Sequence, residues 1–152
     1  MPGKDDSSLR VQSVAFSHGG YIPLKYTCEG ENVNPPILIS DLPGDTKSLA
    51  LIVEDPDAPR GVYDHWIVWN IPPNKAIGEN SKPGISGKNS FGNEDYGGPC
   101  PPSGSHRYFF KVFALDSDLN IQAGSDKQTL QEAMKDHVLG LGELMGHYQK
   151  RK

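Results

Sequence analysis

Apolar residues in this 152-residue chain gather in short runs, separated by stretches rich in glycine and proline. Residues 9–16 (LRVQSVAF) alternate weakly and suggest a first strand. Residues 37–40 (ILIS) form a second short run. Residues 48–54 (SLALIVE) and 65–71 (HWIVWNI) are apolar at successive positions, the pattern of strands buried on both faces. Pro72 and Pro73 stop the second of these. Residues 106–115 (HRYFFKVFAL) predict a third strong strand. Strands of this kind need cover on both sides, so the pattern predicts a mainly β fold, either a sandwich or a sheet flanked by other elements.

One helix is predicted. Ser125 and Gln128 have the spacing of a capping box, and Leu130, Ala133, Met134 and Val138 follow at helical intervals. Gly140 and Gly142 weaken helix beyond that point. Periodicity leaves residues 143–149 (ELMGHYQ) open between a last turn and a strand. Residues 72–105 are long and irregular; a loop of that length in a compact domain is usually functional or disordered. Phe91 and Tyr96 within it, with Tyr108 just beyond, argue for packing. No repeat or linker interrupts the chain, so residues 1–152 are expected to form a single domain.

Composition agrees with this picture. The 17 glycines and 13 prolines call for many turns and few long helices. The net charge of −4 and the absence of a basic stripe argue against a nucleic-acid partner. The opening MPGKDDSSLR has no apolar leader segment, and no apolar run approaches the ~20 residues of a membrane helix. A soluble, cytoplasmic protein is expected. In that compartment Cys28 and Cys100 are expected as free thiols, with a disulfide or redox pair as the alternative.

The candidate chemistry lies where two strands meet. The stretch DPDAPRGVYDHW, residues 55–66, holds more short polar groups than a turn requires. If strands 48–54 and 65–71 pair, Asp55, Asp57 and His65 meet at one end of the sheet. If strand 106–115 lies beside them, His106 and Tyr108 join, since they share a face. Gly98, in the preceding GGPCPPSGS run, lets a ligand approach backbone. Asp64 and Arg60 are expected to be solvated. Such a set can hold a divalent metal, perform acid–base chemistry through a His–Asp pair, or bind an anion through imidazole, phenol and backbone donors. No G-x-S-x-G, H-E-x-x-H or Walker A pattern is present. Cys100 is the best candidate thiol nucleophile, with His106 or Arg107 as its electropositive neighbour.

DPDAP followed by DHW, and then GGPCPPSGSHRY, resemble the phosphatidylethanolamine-binding protein family, which includes Raf kinase inhibitor-like proteins. YTCEGENVNPP, SLALIVEDPDAP and HVLGLGELMGHYQ are similar to its bacterial and archaeal branch. The resemblance implies a large central antiparallel sheet packed on a smaller sheet, with one or two peripheral helices, and it tips residues 143–149 toward a strand. It implies a shallow anion pocket whose ligand-binding residues are Asp55, Asp57, His65, Gly98, His106 and Tyr108; Arg107 falls on the opposite face. In the family, proline in DPDAP can support a cis peptide, which here would be Pro56 or Pro59.

The implied function is a non-enzymatic binding and regulatory protein that needs no cofactor and no metal. It would take a phosphate-like ligand such as a phospholipid head group, and its protein partner would be a kinase or protease that it inhibits. The family's small members often form homodimers. The alternative is a metal-assisted or His–Asp hydrolase using the same pocket.

Overall fold

The computed structural model describes residues 9–150. Eight strands and one helix follow in the order β1 (Arg10–Gln12), β2 (Ile37–Ser40), β3 (Ser48–Asp55), β4 (Tyr63–Ile71), β5 (Ala76–Ile77), β6 (Ile85–Ser86), β7 (Ser105–Leu115), α1 (Lys127–Met134) and β8 (Val138–Gln149). A 3-10 turn, Leu24–Tyr26, lies between β1 and β2. The large sheet has the order β6-β4-β3-β7-β8 and the small one β1-β2-β5; every pairing is antiparallel. No helix among the described residues is long and apolar enough to cross a membrane.

The uninterrupted apolar run of β3 has a direct cause. It is the middle strand of the large sheet, with a separate core on each face. Leu49, Leu51 and Val53 point toward the small sheet, where Val11, Ile37, Ile39 and Ile77 cover them. Ala50 and Ile52 point the other way, toward Leu130 and Met134 of α1. The strand β4 divides similarly: Trp66 and Val68 join the first core, Ile67 and Trp69 the second. Asn70, at φ 52°, then shifts the alternation, so that Ile71 returns to the first core. Its side chain secures the kink by exchanging two hydrogen bonds with the Leu119 backbone, at 2.7 and 3.0 Å.

The helix begins one residue later than the capping-box spacing predicts. Asp126 is the N-cap, accepting from the Thr129 N–H at 2.9 Å, while Ser125 Oγ donates to Gln122 O. Both residues can cap a helix, and only the chain path chooses between them. The helix ends at Met134, Asp136 takes a left-handed φ of 71°, and Val138 opens β8 instead of extending the helical stripe. Residues 143–149 are strand, as the resemblance implies. Every peptide bond among the described residues is trans, so neither Pro56 nor Pro59 supports a cis bond.

Candidate anion pocket

Antiparallel pairing in the order β4-β3-β7 brings the start of β4, the end of β3 and the start of β7 to one edge of the large sheet. Asp55, His65, His106 and Tyr108 therefore converge on one cavity of about 370 Å³.

Asp55 is 3% exposed and His106 7%. His106 Nδ1 lies 2.6 Å from Asp55 Oδ2, so the ring donates to the carboxylate. Asp55 Oδ1 accepts from the Asp57 N–H at 2.7 Å. One carboxylate thus orients the imidazole and closes the turn after β3. Tyr108 stacks on His106, with centroids 6.4 Å apart. Its hydroxyl is buried beside the Cys100 backbone N–H, and burial pushes its pKa up, opposed by that N–H.

His65 reaches the cavity through a break in strand alternation. Val53 pairs with Trp66 and Glu54 with Asp64, which leaves His65 as an extra residue in a β-bulge. Bulges re-aim side chains in this way. Trp66 consequently packs into the first core, while Asp64 reaches Lys127 Nζ at 2.7 Å on the helix side. His65 Nδ1 lies 2.7 Å from Gly97 O. The rings of Tyr63, Phe91 and Tyr108 meet it edge-on at 5.2–5.3 Å. Burial lowers its pKa, opposed by the Gly97 carbonyl and the charge on Asp55.

Two of the expected pocket residues have other occupations. Asp57 is held by Arg107: its Oδ2 accepts from the Arg107 backbone N–H and Nε, each at 2.9 Å, and its Oδ1 from Nη2 at 2.8 Å. These bonds lower its pKa to about 2. It supports the turn from outside the cavity wall. Gly98 donates its N–H to Asn32 Oδ1 at 2.8 Å, directing that group away from the cavity. Its small size still matters, because a Cβ there would lie 2.3 Å from Tyr26 O.

Several site residues went unread in the sequence. Gly97 supplies the acceptor for His65, and a Cβ on it would lie 2.5 Å from the Phe91 ring. Buried Asn89 organises the loop: Nδ2 donates to His65 O and Asp95 O, and Oδ1 accepts from the N–H groups of Phe91 and Asn93. Arg60 is exposed as expected, but it lines the cavity mouth, where Asp55 is the only other formally charged lining residue among those described. Asp64 is not free in solvent: with Glu54 it brackets Lys127, and Glu54 also meets Lys111 Nζ at 3.2 Å.

The expectation of two free thiols is overturned. Cys28 and Cys100 form a disulfide across 72 residues, their Cα atoms 5.4 Å apart. It ties the segment after the 3-10 turn to the cavity rim, and the Cys28 N–H donates to Pro99 O beside it. Cys100 consequently presents no thiol. No group of three His, Cys, Asp or Glu side chains among the described residues is arranged to hold a metal ion.

The sequence model of the phosphatidylethanolamine-binding protein family matches residues 12–149. A UPF0098 protein of Pyrococcus horikoshii is 48% identical, over 98% of this chain and 80% of its own length. A UPF0098 protein of Methanothermobacter thermautotrophicus is 45% identical, over 93% and 99%. Among solved structures, the phosphatidylethanolamine-binding protein homologue CT736 of Chlamydia trachomatis superposes with a TM-score of 0.92 and 42% identity, covering 95% of this chain and 99% of its own. YbcL of E. coli, a member of the same family, gives 0.87 and 29%, covering 94% and 99%.

Proposed function

The chain belongs to the phosphatidylethanolamine-binding protein family, and on that premise we propose that it is a non-enzymatic binding and regulatory protein whose pocket holds a phosphate-like anion. The observation that carries this reading is the convergence of His65, His106 and the buried Tyr108 hydroxyl on one cavity, with Arg60 at its mouth. Asp55 orients His106, Gly97 orients His65, and Asp57 and Gly98 support the frame from behind. The rest of the wall is largely apolar, from Val62, Phe91, Pro101 and Pro102, which suits an anionic group carried on a larger body.

The family resemblance adds a kinase or protease as the restrained partner, and inhibition assays against members of each class address that layer separately. A cytoplasmic location requires a cell that keeps disulfides there, given the Cys28–Cys100 bridge. Titration with inorganic phosphate and with phosphoethanolamine, followed by NMR of His65 and His106, tests the pocket. Chemical-shift changes at both rings are expected; silence at millimolar ligand would overturn the assignment.

The buried His106–Asp55 pair also favours the hydrolytic reading. Turnover of aryl ester or aryl phosphate substrates that disappears in His106→Gln would establish it in place of binding alone.

A further inference from the structure

The hydrogen bond that fixes His65 also restricts what the ring can offer a ligand. Gly97 O is a carbonyl and can only accept, so Nδ1 must carry a proton. In the neutral ring Nε2 is then a lone pair, an acceptor, in the cavity that the ring lines. A second proton would make Nε2 a donor, but the surroundings resist it. The ring is 3% exposed and enclosed by Tyr63 of β4, Phe91 of the loop and Tyr108 of β7.

The charged and titratable groups around it come from every neighbouring element. Asp55 of β3 and Asp64 of β4 act on it, but Asp55 is already paired with His106 and Asp64 with Lys127. The Gly97 and Gly98 backbone lies beside the ring, and Arg60 stands at the mouth. Tyr148 is paired with His106 across the sheet, one strand farther out. A fully deprotonated anion facing His65 would meet a lone pair.

Resting on the anion-pocket reading, we propose that the pocket is selective for anions that bring their own proton, namely phosphate or a phosphomonoester in its P–OH form, over sulfate. The P–OH donates to His65 Nε2. The remaining oxygens accept from Tyr108 Oη and, when its ring is protonated, from His106. No bond to phosphorus is made or broken. The second phosphate proton is lost near neutrality, so this form is available under ordinary conditions, whereas sulfate has no proton to give. Sulfate can enter only when His65 itself takes up a proton from solvent.

The test compares inorganic phosphate with sulfate on the full chain across pH 5.5–8.5. Binding is read by NMR of the imidazole resonances, and proton uptake by calorimetry in two buffers of different ionisation enthalpy. At pH 7 phosphate is expected to bind on the order of ten-fold or more tightly than sulfate, a difference of about 1.4 kcal/mol. At pH 6 phosphate should bind with little proton uptake, while sulfate takes up close to one proton and loses affinity steadily as the pH rises. Equal affinities with no pH dependence would overturn the selectivity and leave the anion pocket standing. Failure of both ions to move either histidine at any pH would overturn the pocket reading and the selectivity together.

Discussion

His106 Nδ1 stands 2.6 Å from Asp55 Oδ2 at the sheet edge, and the other oxygen of the same carboxylate holds the Asp57 backbone. Ring and turn therefore depend on one buried charge. Removing the ring alone strands that charge. His106→Ala is expected to cost about 3–5 kcal/mol. Asp55→Asn should cost less, because the amide oxygen can still accept from Asp57. In a double-mutant cycle the two losses should fall well short of additive. Urea unfolding of the four proteins measures this; additive losses would mean that the pair is not coupled.

Asp57 makes a separate contribution at acid pH. Arg107 depresses its pKa from 3.8 to about 2 in the folded chain. A depressed carboxylate stabilises the fold above its unfolded pKa, and that stability is lost as the pH falls through the folded value. The window is thus pH 4 down to 2. Arg107 is half exposed, so the effect is screened and is expected to be on the order of 1 kcal/mol. Unfolding midpoints of wild type and Arg107→Ala should converge as the pH drops through this window, and a constant gap would refute the linkage.

The Cys28–Cys100 bridge closes a loop spanning 72 positions. Reduction, or the Cys28→Ser/Cys100→Ser pair, is expected to lower stability by about 2–4 kcal/mol. Both cysteines are exposed, so a dithiol should reach the bridge without prior unfolding. Thiol counting under native conditions, with and without dithiol, checks access; unfolding midpoints check the magnitude.

Asn89 is 5% exposed and satisfies the backbone of Phe91, Asn93, Asp95 and His65. Asn89→Ala leaves several of these groups unpaired and should cost about 2–3 kcal/mol. The loss should be local. Amide exchange is expected to quicken between residues 89 and 98 while the centre of β3 stays protected. Uniform acceleration across the sheet would contradict this.

What the sequence disclosed follows from what strands disclose. Two-sided burial made β3 and β4 legible and the apolar run of β7 made the third, and their antiparallel ends place Asp55, His65, His106 and Tyr108 together. The same logic failed for Asp57 and Gly98. Spacing by two told where Asp57 sits but not that Arg107, across the turn, would take both its oxygens. Alternation alone would have put His65 on the face opposite Trp66's core; the bulge that frees it depends on register, which no local pattern encodes. Asn89 and Gly97 act through loop backbone, where side-chain periodicity carries no signal. The disulfide was not legible because a sequence separation of 72 says nothing about a Cα separation of 5.4 Å.

The mouth of the cavity is built differently from its floor. Residues 58–62 cross it with one backbone bond of their own, Gly61 N–H to Ala58 O at 3.2 Å, and Gly61 turns at φ 111°. None of the bonds that hold His65, His106 or Tyr108 passes through this segment. Head-group chemistry and the size of the attached body are thereby separable in this scaffold. With Arg60 kept, the five-residue span can be lengthened, shortened or randomised as a cassette, altering which bodies are admitted while the contacts of His65, His106 and Tyr108 beneath stay as they are.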